Sequence, residues 1–191
     1  MKTSTLSRGL LGLAALLFAL AAQAQIVRLS TNQGDIRIQL DAEKAPKTVA
    51  NFLQYVKAGH YNGTVFHRVI ADFMIQGGGY TQKLQQKPTK PPIPLESNNG
   101  LLNVRGSVAM ARSGNPNSAT SQFFVNTVDN AFLDAANASD GLGYAVFGQV
   151  IEGMDVVDKI RAMPTQAVSE AFQNLPTTPV IITKAIVEKQ K

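Results

Sequence analysis

Short segments that alternate apolar and polar residues dominate this chain from residue 26 onward. The first two, Ile26–Thr31 and Ile36–Leu40, are separated by Asn32-Gln33-Gly34-Asp35, whose turn residues predict a β-hairpin. Further strands are predicted at Val65–Ile70, Phe73–Gln76, Gly106–Ala111, Gln122–Thr127, Tyr144–Val150 and Val180–Val187. With only two helical segments beside them, these strands favour a mainly β fold. That fold is either one closed antiparallel barrel or a sandwich. The first and last strands could pair to close the barrel.

The clearer of the two helical segments begins near Pro46 and ends near Gly59. Pro46 suits a first helical turn, and Gly59 is expected as the C-cap. Asp41 and Glu43 are expected at the helix start, where the helix dipole favours negative charge. The apolar residues recur at i, i+3, i+4 and i+7, at Val49, Phe52, Leu53 and Val56. That periodicity predicts one buried stripe, and a second, shorter helix is predicted at Met154–Ala162.

Glycine and proline mark the connections between these elements. Gly77-Gly78-Gly79 is expected to turn the chain or to allow a close approach of another group. Thr81–Asn99 is polar and carries four prolines, which predicts a long surface excursion. Its part Lys83–Asn99 could select substrates or only cover a barrel edge. Asn130–Gly143 is predicted to be a loop with one short turn, and Asp134 and Asp140 in it are expected to be solvated or to cap a turn.

The first 24 residues have the pattern of a cleavable secretory signal. Lys2 and Arg8 form a positive start, Gly9–Ala22 is apolar, and Ala22-Gln23-Ala24 is a small-x-small cleavage site. The apolar run is short for a membrane span, although an uncleaved anchor is the alternative. We therefore expect cleavage after Ala24, export to the periplasm of a Gram-negative cell, and one domain at residues 25–191 that is not bound to a membrane.

The composition is that of a globular protein without disulfides. Hydrophobic residues make up 45% and charged residues 16% of the 191 residues, and cysteine is absent. The formal net charge is +5, and the loss of Lys2 and Arg8 with the leader reduces it to +3. Because the remaining Lys and Arg are scattered without a run, nucleic-acid binding is not indicated.

Several kinds of chemistry lack their residues in this sequence. A hydrolase needs a nucleophile with a base, and the chain has no cysteine and no G-x-S-x-G. The two histidines, His60 and His67, are seven residues apart without a paired carboxylate, so they form no zinc ligand set. His67, on an alternating strand, is expected to be a packed, hydrogen-bonded structural residue. No cofactor is indicated.

One stretch, Val65–Gly79, places a charge inside an apolar run. Arg68 stands there beside phenylalanine, methionine and isoleucine, and Gln76 follows it on the next segment. A buried guanidinium is costly unless it has partners or a task. Ser118–Asn126 repeats the pattern with Gln122 next to two phenylalanines. Together the stretches indicate an apolar surface with a few fixed hydrogen-bond donors, as in a site for a small ligand or a peptide.

Such a surface has no nucleophile, but it could catalyse a rotation. Its candidate residues are Arg68, Gln76, Gln122, Phe73, Met74, Phe124, Phe132 and Leu133. Rotation about an X-Pro bond crosses a barrier of roughly 18–20 kcal/mol, because amide resonance is broken. The twisted proline nitrogen regains a lone pair, which a guanidinium donor would bond more strongly than it bonds the planar ground state. The alternative is that Arg68 pairs with a carboxylate and the aromatic residues belong to the core.

Three longer motifs together resemble the cyclophilin family of peptidyl-prolyl cis-trans isomerases. They are F-H-R-V-I-A-D-F-M-I-Q-G-G-G, M-A-R-S-G-N-P-N-S-A-T-S-Q-F-F and G-Y-A-V-F-G-Q-V. The resemblance covers the chain after the leader and is closest to the periplasmic cyclophilin A type of Gram-negative bacteria. It implies an eight-stranded antiparallel β-barrel capped by two α-helices, with a proline site on its outer face and no cofactor.

The resemblance also implies roles for individual residues. Arg68 is the expected catalytic donor, followed in the site by Phe73, Met74 and Gln76. The expected substrate-binding residues beyond these are Ala111, Arg112, Gln122, Phe124, Phe132, Leu133 and Tyr144. At three positions the sequence departs from the well-known eukaryotic pattern. Arg112 stands in place of asparagine, although its backbone carbonyl could still serve, and Tyr144 stands in place of histidine.

The third departure is Phe132, which stands where many members have tryptophan. Phenylalanine has no N–H to donate, so weak cyclosporin binding with retained isomerase activity is expected. The expected partners are proline-containing polypeptides and unfolded exported proteins, whose folding the isomerase would assist as a monomer. A binding module that holds X-Pro segments as a chaperone, with little turnover, is the main alternative. An exported hydrolase is the second.

Overall fold

The computed structural model describes residues 25–189, and within them the chain forms ten strands and two α-helices. The strands are β1 (Ile26–Thr31), β2 (Gly34–Leu40), β3 (Thr64–Ile70), β4 (Met74–Thr81), β5 (Ser107–Met110), β6 (Phe123–Asn126), β7 (Val146–Glu152), β8 (Thr165–Gln166), β9 (Leu175–Pro176) and β10 (Ile181–Val187). The helices are α1 (Pro46–Lys57) and α2 (Met154–Arg161), and Ala131–Leu133 forms a short 3-10 turn. The two predicted helices and the predicted strand positions are confirmed, with ends that differ by a few residues.

Eight strands close into a barrel in the order β1-β10-β3-β4-β6-β5-β7-β2. Every neighbouring pair is antiparallel, and β1 pairs with both β2 and β10, so the first and last strands do close the sheet. The predicted hairpin is confirmed, with Ile26 opposite Gln39 and Thr31 opposite Gly34. Strands β8 and β9 form a separate two-stranded sheet. The barrel, and not the sandwich, is therefore the fold.

The barrel encloses an apolar core that α1 covers. Alternate residues of β1 and β2, such as Val27 and Ile38, are fully buried, which is the period-two pattern read from the sequence. The predicted stripe of α1 is buried as a unit, at Val49, Phe52, Leu53 and Val56. The Phe52 ring lies 5.2 Å from Tyr61, 5.5 Å from Phe123 and 5.0 Å from Phe147, measured between centroids. The helix is thus anchored by aromatic contacts to the barrel interior.

The start of α1 is capped by a distant residue, which corrects the expectation for Asp41 and Glu43. Both lie in the turn before the helix, and the first helical turn carries no acidic residue. Glu96 takes that role: its carboxylate accepts hydrogen bonds from the backbone N–H groups of Lys47 (3.1 Å) and Thr48 (2.8 Å). A carboxylate is favourable at this end because the first N–H groups of a helix have no partner within it. At the other end the C-cap is Ala58, and Gly59 follows it with φ +66°.

The surface excursion Thr81–Asn99 is what brings Glu96 to the helix. It is joined to the rest of the chain by isolated bridges, Tyr80 with Gln86 and Ile93 with Ala119. The backbone N–H of Leu95 donates to the side chain of Asn117, 2.9 Å away. The excursion is therefore a surface segment, as predicted, but it is packed against α1 and is not free in solution.

The three glycines at 77–79 lie inside β4, so the expected turn is wrong and the expected close approach is confirmed. A Cβ added at Gly78 would lie 2.8 Å from the Tyr61 ring, and one at Gly79 would lie 2.6 Å from Cγ of Gln122. The pairing of β3 with β4 is irregular between Thr64 and Arg68. Gly79 thus leaves the space that the Gln122 side chain occupies.

The expected secretory signal and its cleavage after Ala24 concern residues that lie outside the described part of the chain, and the domain start at residue 25 stays a prediction. Within residues 25–189, no helix is long and apolar enough to cross a membrane.

Candidate active site

A cleft of about 120 Å³ lies on the outer face of the barrel and is lined mostly by the residues singled out in the sequence. Its lining is Arg68, Phe73, Met74, Gln76, Ala111, Arg112, Phe124, Leu133 and Tyr144. The outward direction follows from strand alternation. Met74 and Phe124 belong to a small apolar cluster that is separate from the barrel core, whereas their neighbours Ile75, Phe123 and Val125 belong to the core.

The floor of the cleft is one row of cross-strand neighbours. Arg68 of β3 lies opposite Gln76 of β4, Gln76 lies opposite Phe124 of β6, and Phe124 lies opposite Ala109 of β5. Directly opposed residues on one face have Cβ atoms about 4.5–5.5 Å apart. The strand order β3-β4-β6-β5 therefore brings together residues that are more than forty positions apart in the sequence.

The walls of the cleft come from connections between strands. Phe73 lies in the turn before β4, and Ala111 and Arg112 follow β5. Leu133 belongs to the 3-10 turn, and Tyr144 lies just before β7. The sequence patterns placed Phe73 and Tyr144 within strands, and the structure corrects both to positions beside a strand end.

Arg68 is exposed, and among the described residues no carboxylate forms an ion pair with it. Its guanidinium carbon lies 5.7 Å from the centroid of the Phe73 ring, within the range of a cation–π contact. The alternative in which Arg68 is neutralised by a carboxylate is therefore not what the structure has. The guanidinium is open to a group that enters the cleft.

Gln122 does not line the cleft but supports a residue that does. The Nε2 of Gln76 donates to Oε1 of Gln122 at 2.9 Å. This hydrogen bond fixes the amide of Gln76 beside Arg68, and Gln122 itself occupies the space left by Gly79. Gln122 thus lies one step behind the surface to which the sequence assigned it.

Phe132 also lies outside the lining of the cleft. It is 58% exposed, and its ring stacks on the Phe73 ring with 5.6 Å between centroids and 27° between planes. Leu133, its neighbour, is buried and lines the cleft. Phe132 is therefore a rim residue that backs the Phe73 wall.

Arg112 is held in a way that the sequence did not indicate. Its Nε donates to the carbonyl of Gly143 at 2.9 Å, and its Nη2 forms an ion pair with Asp140. Its guanidinium carbon lies 4.7 Å from the centroid of the Tyr144 ring. The ion pair is the main cause that lowers the pKa of Asp140 to about 2, with two backbone N–H bonds as further causes. Asp140 was expected to be solvated or to cap a turn; it does cap one, and it also holds Arg112.

A chain of buried amides joins the two sides of the cleft. Nδ2 of Asn130 donates to the carbonyl of Phe73 (2.8 Å) and to Oδ1 of Asn126 (2.7 Å). Asn126 donates to Asn103 (3.2 Å), and Asn103 donates to Asp134 (2.9 Å). All four polar residues are at most 8% exposed. Because buried polar groups are costly without partners, this network fixes the Phe73 turn relative to the 3-10 turn.

His67 lies behind the cleft, next to Arg68 in β3, and is 5% exposed. Its ring contacts those of Tyr80 (4.7 Å) and Phe172 (6.1 Å). Burial lowers the pKa of His67 to about 4, and the nearby charge of Arg68 acts in the same direction. The expected packed role is confirmed, but its Nδ1 has no hydrogen-bond partner among the described residues.

The arrangement offers one hydrogen-bond donor beside an apolar pocket, which suits binding and polarising an uncharged group. Within residues 25–189, no group of three or more His, Asp or Glu side chains is placed to hold a metal ion. Sequence reasoning missed Asp140, Asn103, Asn126 and Asn130. The only local signals were the turn residues around Asp140 and the amides themselves, and neither identifies a partner thirty residues away.

Comparisons with known proteins show the family of this chain. The family described as "Cyclophilin type peptidyl-prolyl cis-trans isomerase/CLD" matches residues 26–187. Peptidyl-prolyl cis-trans isomerase A of Dickeya dadantii (strain 3937) is 50% identical over 164 residues, covering 86% of this chain and 85% of that protein. Peptidyl-prolyl cis-trans isomerase B of Escherichia coli (strain K12) is 52% identical over 165 residues, covering 86% of this chain and all (100%) of that protein.

A solved structure also matches the fold. The cyclophilin-type peptidyl-prolyl cis-trans isomerase of Cryptosporidium parvum, crystallised in the presence of the dipeptide Ala-Pro, superposes with a TM-score of 0.72 at 27% identity. The match covers 87% of this chain and 100% of that one.

Proposed function

The chain belongs to the cyclophilin-type peptidyl-prolyl cis-trans isomerases, and from that premise we propose that Arg68 catalyses rotation about X-Pro bonds by donating to the proline nitrogen. The observation that carries this is the state of Arg68, which lies at the cleft without a carboxylate partner among residues 25–189. A guanidinium that is already paired would have less to offer a substrate.

The proposed catalysis is differential binding without a covalent step. In the planar amide the proline nitrogen shares its lone pair with the carbonyl, and at the twisted transition state it recovers that pair. A hydrogen bond from Arg68 is then stronger than in the ground state and lowers the barrier. Phe73, Met74, Phe124 and Leu133 would hold the pyrrolidine ring, and Gln76 would orient the backbone beside it.

The test is cis-trans exchange of an Ala-Pro peptide, followed by NMR, with residues 25–191 and with Arg68→Ala. We expect the variant to lose about 10²–10³-fold in kcat, as when a single preorganised donor is removed from other enzymes. Arg28→Ala is the matched control, because Arg28 is also a barrel arginine but pairs with Asp35 on another strand (3.3 Å). Activity that survives in Arg68→Ala would keep the isomerase and remove this mechanism.

A proline-binding chaperone with little turnover is the rival function for the same cleft. It would bind the peptide as tightly as the isomerase does but leave the exchange rate unchanged. Membership of an isomerase family favours turnover, and so does Arg68, which has no ion-pair partner among residues 25–189.

We propose further that the enzyme acts on exported proteins in the periplasm. The support is the sequence pattern of residues 1–24, with its positive start and small-x-small end. Expression of the full chain in a Gram-negative cell, fractionation and N-terminal sequencing test it. We expect a periplasmic protein that begins at Gln25. A full-length protein in the cytoplasm would exclude export.

Weak binding of cyclosporin is also proposed, because Phe132 cannot donate a hydrogen bond. Phe132→Trp should tighten binding while the isomerase rate stays unchanged. Equal affinity of the two proteins for cyclosporin would show that this position does not limit binding.

A further inference from the structure

Arg112 lines the cleft, yet all three of its nitrogens are engaged within the protein. Nε donates to Gly143, Nη1 donates to the carbonyl of Ser113 at 3.0 Å, and Nη2 pairs with Asp140. The side chain is only 3% exposed. A guanidinium in this state is a poor donor for a peptide, because it would have to leave its present partners first.

Asp140 organises the loop from the outside. Its Oδ2 accepts from Arg112, and its Oδ1 accepts from the backbone N–H groups of Leu142 (2.9 Å) and Gly143 (3.1 Å). The carboxylate itself does not line the cleft, and its side chain is 42% exposed. Its effect on a substrate must therefore pass through other residues.

The end of this loop is closely packed. Gly143 has φ +62°, and a Cβ there would lie 2.4 Å from the carbonyl oxygen of Leu133. That same carbonyl accepts from the backbone N–H of Tyr144 at 2.9 Å. The loop is thus pinned both to Arg112 and to the 3-10 turn that forms another wall of the cleft.

These contacts limit the positions open to the Tyr144 ring. The guanidinium carbon of Arg112 lies 4.7 Å from the centroid of this ring, and the Phe124 ring lies 5.7 Å away with 79° between the planes. Both neighbours line the cleft, as Tyr144 does. Without Arg112, the ring keeps its contact with Phe124 but loses the group that holds it there.

We propose that Arg112 and Asp140 are a positioning pair that fixes Tyr144 as a wall of the proline cleft, and that the charge of Asp140 acts on the substrate only through Arg112. The hydrogen bonds from Leu142 and Gly143 to Oδ1 hold the loop itself, and the amide oxygen in Asp140→Asn can still accept them. The pair sets the affinity for the peptide and not the rate of rotation, which belongs to Arg68. This inference rests on the proposed use of the cleft as the proline site.

The test is a double-mutant cycle with Asp140→Asn, Arg112→Ala and the combined variant, each measured for KM, kcat and the dissociation constant of an Ala-Pro peptide. We expect Asp140→Asn to raise KM and the dissociation constant about five- to tenfold and to leave kcat within twofold. In the Arg112→Ala background the same change should have no further effect. The NMR signals of the Tyr144 ring should shift in both single variants.

Arg112→Lys keeps the charge but loses the planar guanidinium group. Its KM and dissociation constant should therefore lie between those of wild type and those of Arg112→Ala. It also replaces Arg112→Ala in the cycle if that variant does not fold. Asp35→Asn is the matched control, because Asp35 pairs with Arg28 (3.3 Å) in the β1–β2 hairpin and does not line the cleft. It should leave KM unchanged.

Three results would overturn the proposal: an unchanged KM and dissociation constant in Asp140→Asn, an equal rise in both backgrounds, or a loss in kcat alone. These results can be distinguished from a failure of the proposed mechanism, because the mechanism is tested separately by Arg68→Ala in the same assay. If wild type did not accelerate exchange at all, the dissociation constants would still test the positioning pair.

Discussion

The two arginines of the cleft, Arg68 and Arg112, have the same side chain but differ in exposure, in ion pairing and in the segment to which they belong. Arg68 is exposed and has no ion-pair partner among the described residues, whereas the side chain of Arg112 is 3% exposed and is paired with Asp140. Arg68 belongs to β3 in the floor of the cleft, whereas Arg112 belongs to the connection after β5, which side-chain contacts hold in place. A cationic residue at a site is thus available for chemistry only where the fold has not already used its donors.

The largest effect is expected from a variant that places a carboxylate next to Arg68. Gln76 is its direct cross-strand neighbour, so Gln76→Glu should place an acceptor beside the guanidinium. We expect kcat/KM to fall about 100-fold, since opposite charges about 4 Å apart near a protein surface attract by about 4 kcal/mol before competition from water. Exchange of an Ala-Pro peptide by NMR measures it.

Gln76→Met is the control for that variant, because it also removes the hydrogen bond to Gln122 but adds no charge. If Gln76→Met lost as much activity as Gln76→Glu, the amide would matter and the pairing of Arg68 would not.

The free energy of unfolding should also depend on pH, because His67, the neighbour of Arg68 in β3, is buried. The pKa of His67 is about 4 in the folded protein and about 6.5 when unfolded, so the unfolded state binds the proton first as pH falls. The stabilisation is present above pH 6.5 and is lost between pH 6.5 and 4. We expect a loss of about 2 kcal/mol between pH 7 and pH 5, measured by urea unfolding.

His67→Phe should remove most of that dependence. His60→Gln is the comparison variant. Burial also lowers the pKa of His60, but His60 is less buried than His67, so this variant should remove less of the pH dependence. A wild-type stability that is flat between pH 7 and pH 5 would contradict the prediction.

The scaffold shared by both sides of the cleft is tested at Asn130. Asn130→Ala removes the donor to Oδ1 of Asn126, which stays buried, and one of the two donors to the Phe73 carbonyl, which keeps the bond from the Thr127 N–H (3.0 Å). We expect the free energy of unfolding to fall by about 1–3 kcal/mol, and the NMR signals of the Phe73 ring to shift. Asn32→Ala is the control, because Asn32 also donates to a backbone carbonyl (Pro179, 2.9 Å), at the β1–β2 turn. It should leave the Phe73 signals unchanged.

The smallest effect is expected at the rim. Phe132→Ala removes an exposed ring that stacks on Phe73, and such pairs contribute about 0.5–1.5 kcal/mol. KM for the peptide should therefore rise no more than about tenfold, with kcat unchanged. Leu133→Ala, inside the cleft, is the comparison and should raise KM more. The opposite order would place the substrate on the rim.

The eight barrel strands and the two helices could be predicted from the sequence, because hydrophobic period and turn chemistry are local properties, whereas β8 and β9 were not predicted. The β1–β2 hairpin, the buried stripe of α1 and the position of Arg68 in a strand could all be read from neighbouring residues. The candidate residues came from two apolar stretches with polar side chains and from the resemblance to a family, and most of them do meet in the cleft, with Gln122 just behind it and Phe132 beside it.

The pairing of the charged and polar groups could not be predicted from the sequence and follows from the tertiary fold. Glu96 caps α1 from a segment more than forty residues away, Asp140 holds Arg112, and the asparagine network joins Phe73 to the 3-10 turn. These contacts depend on which strands and loops become neighbours when the barrel closes. The free energy of a buried hydrogen bond or ion pair depends on the geometry of both partners, and no local pattern contains that geometry.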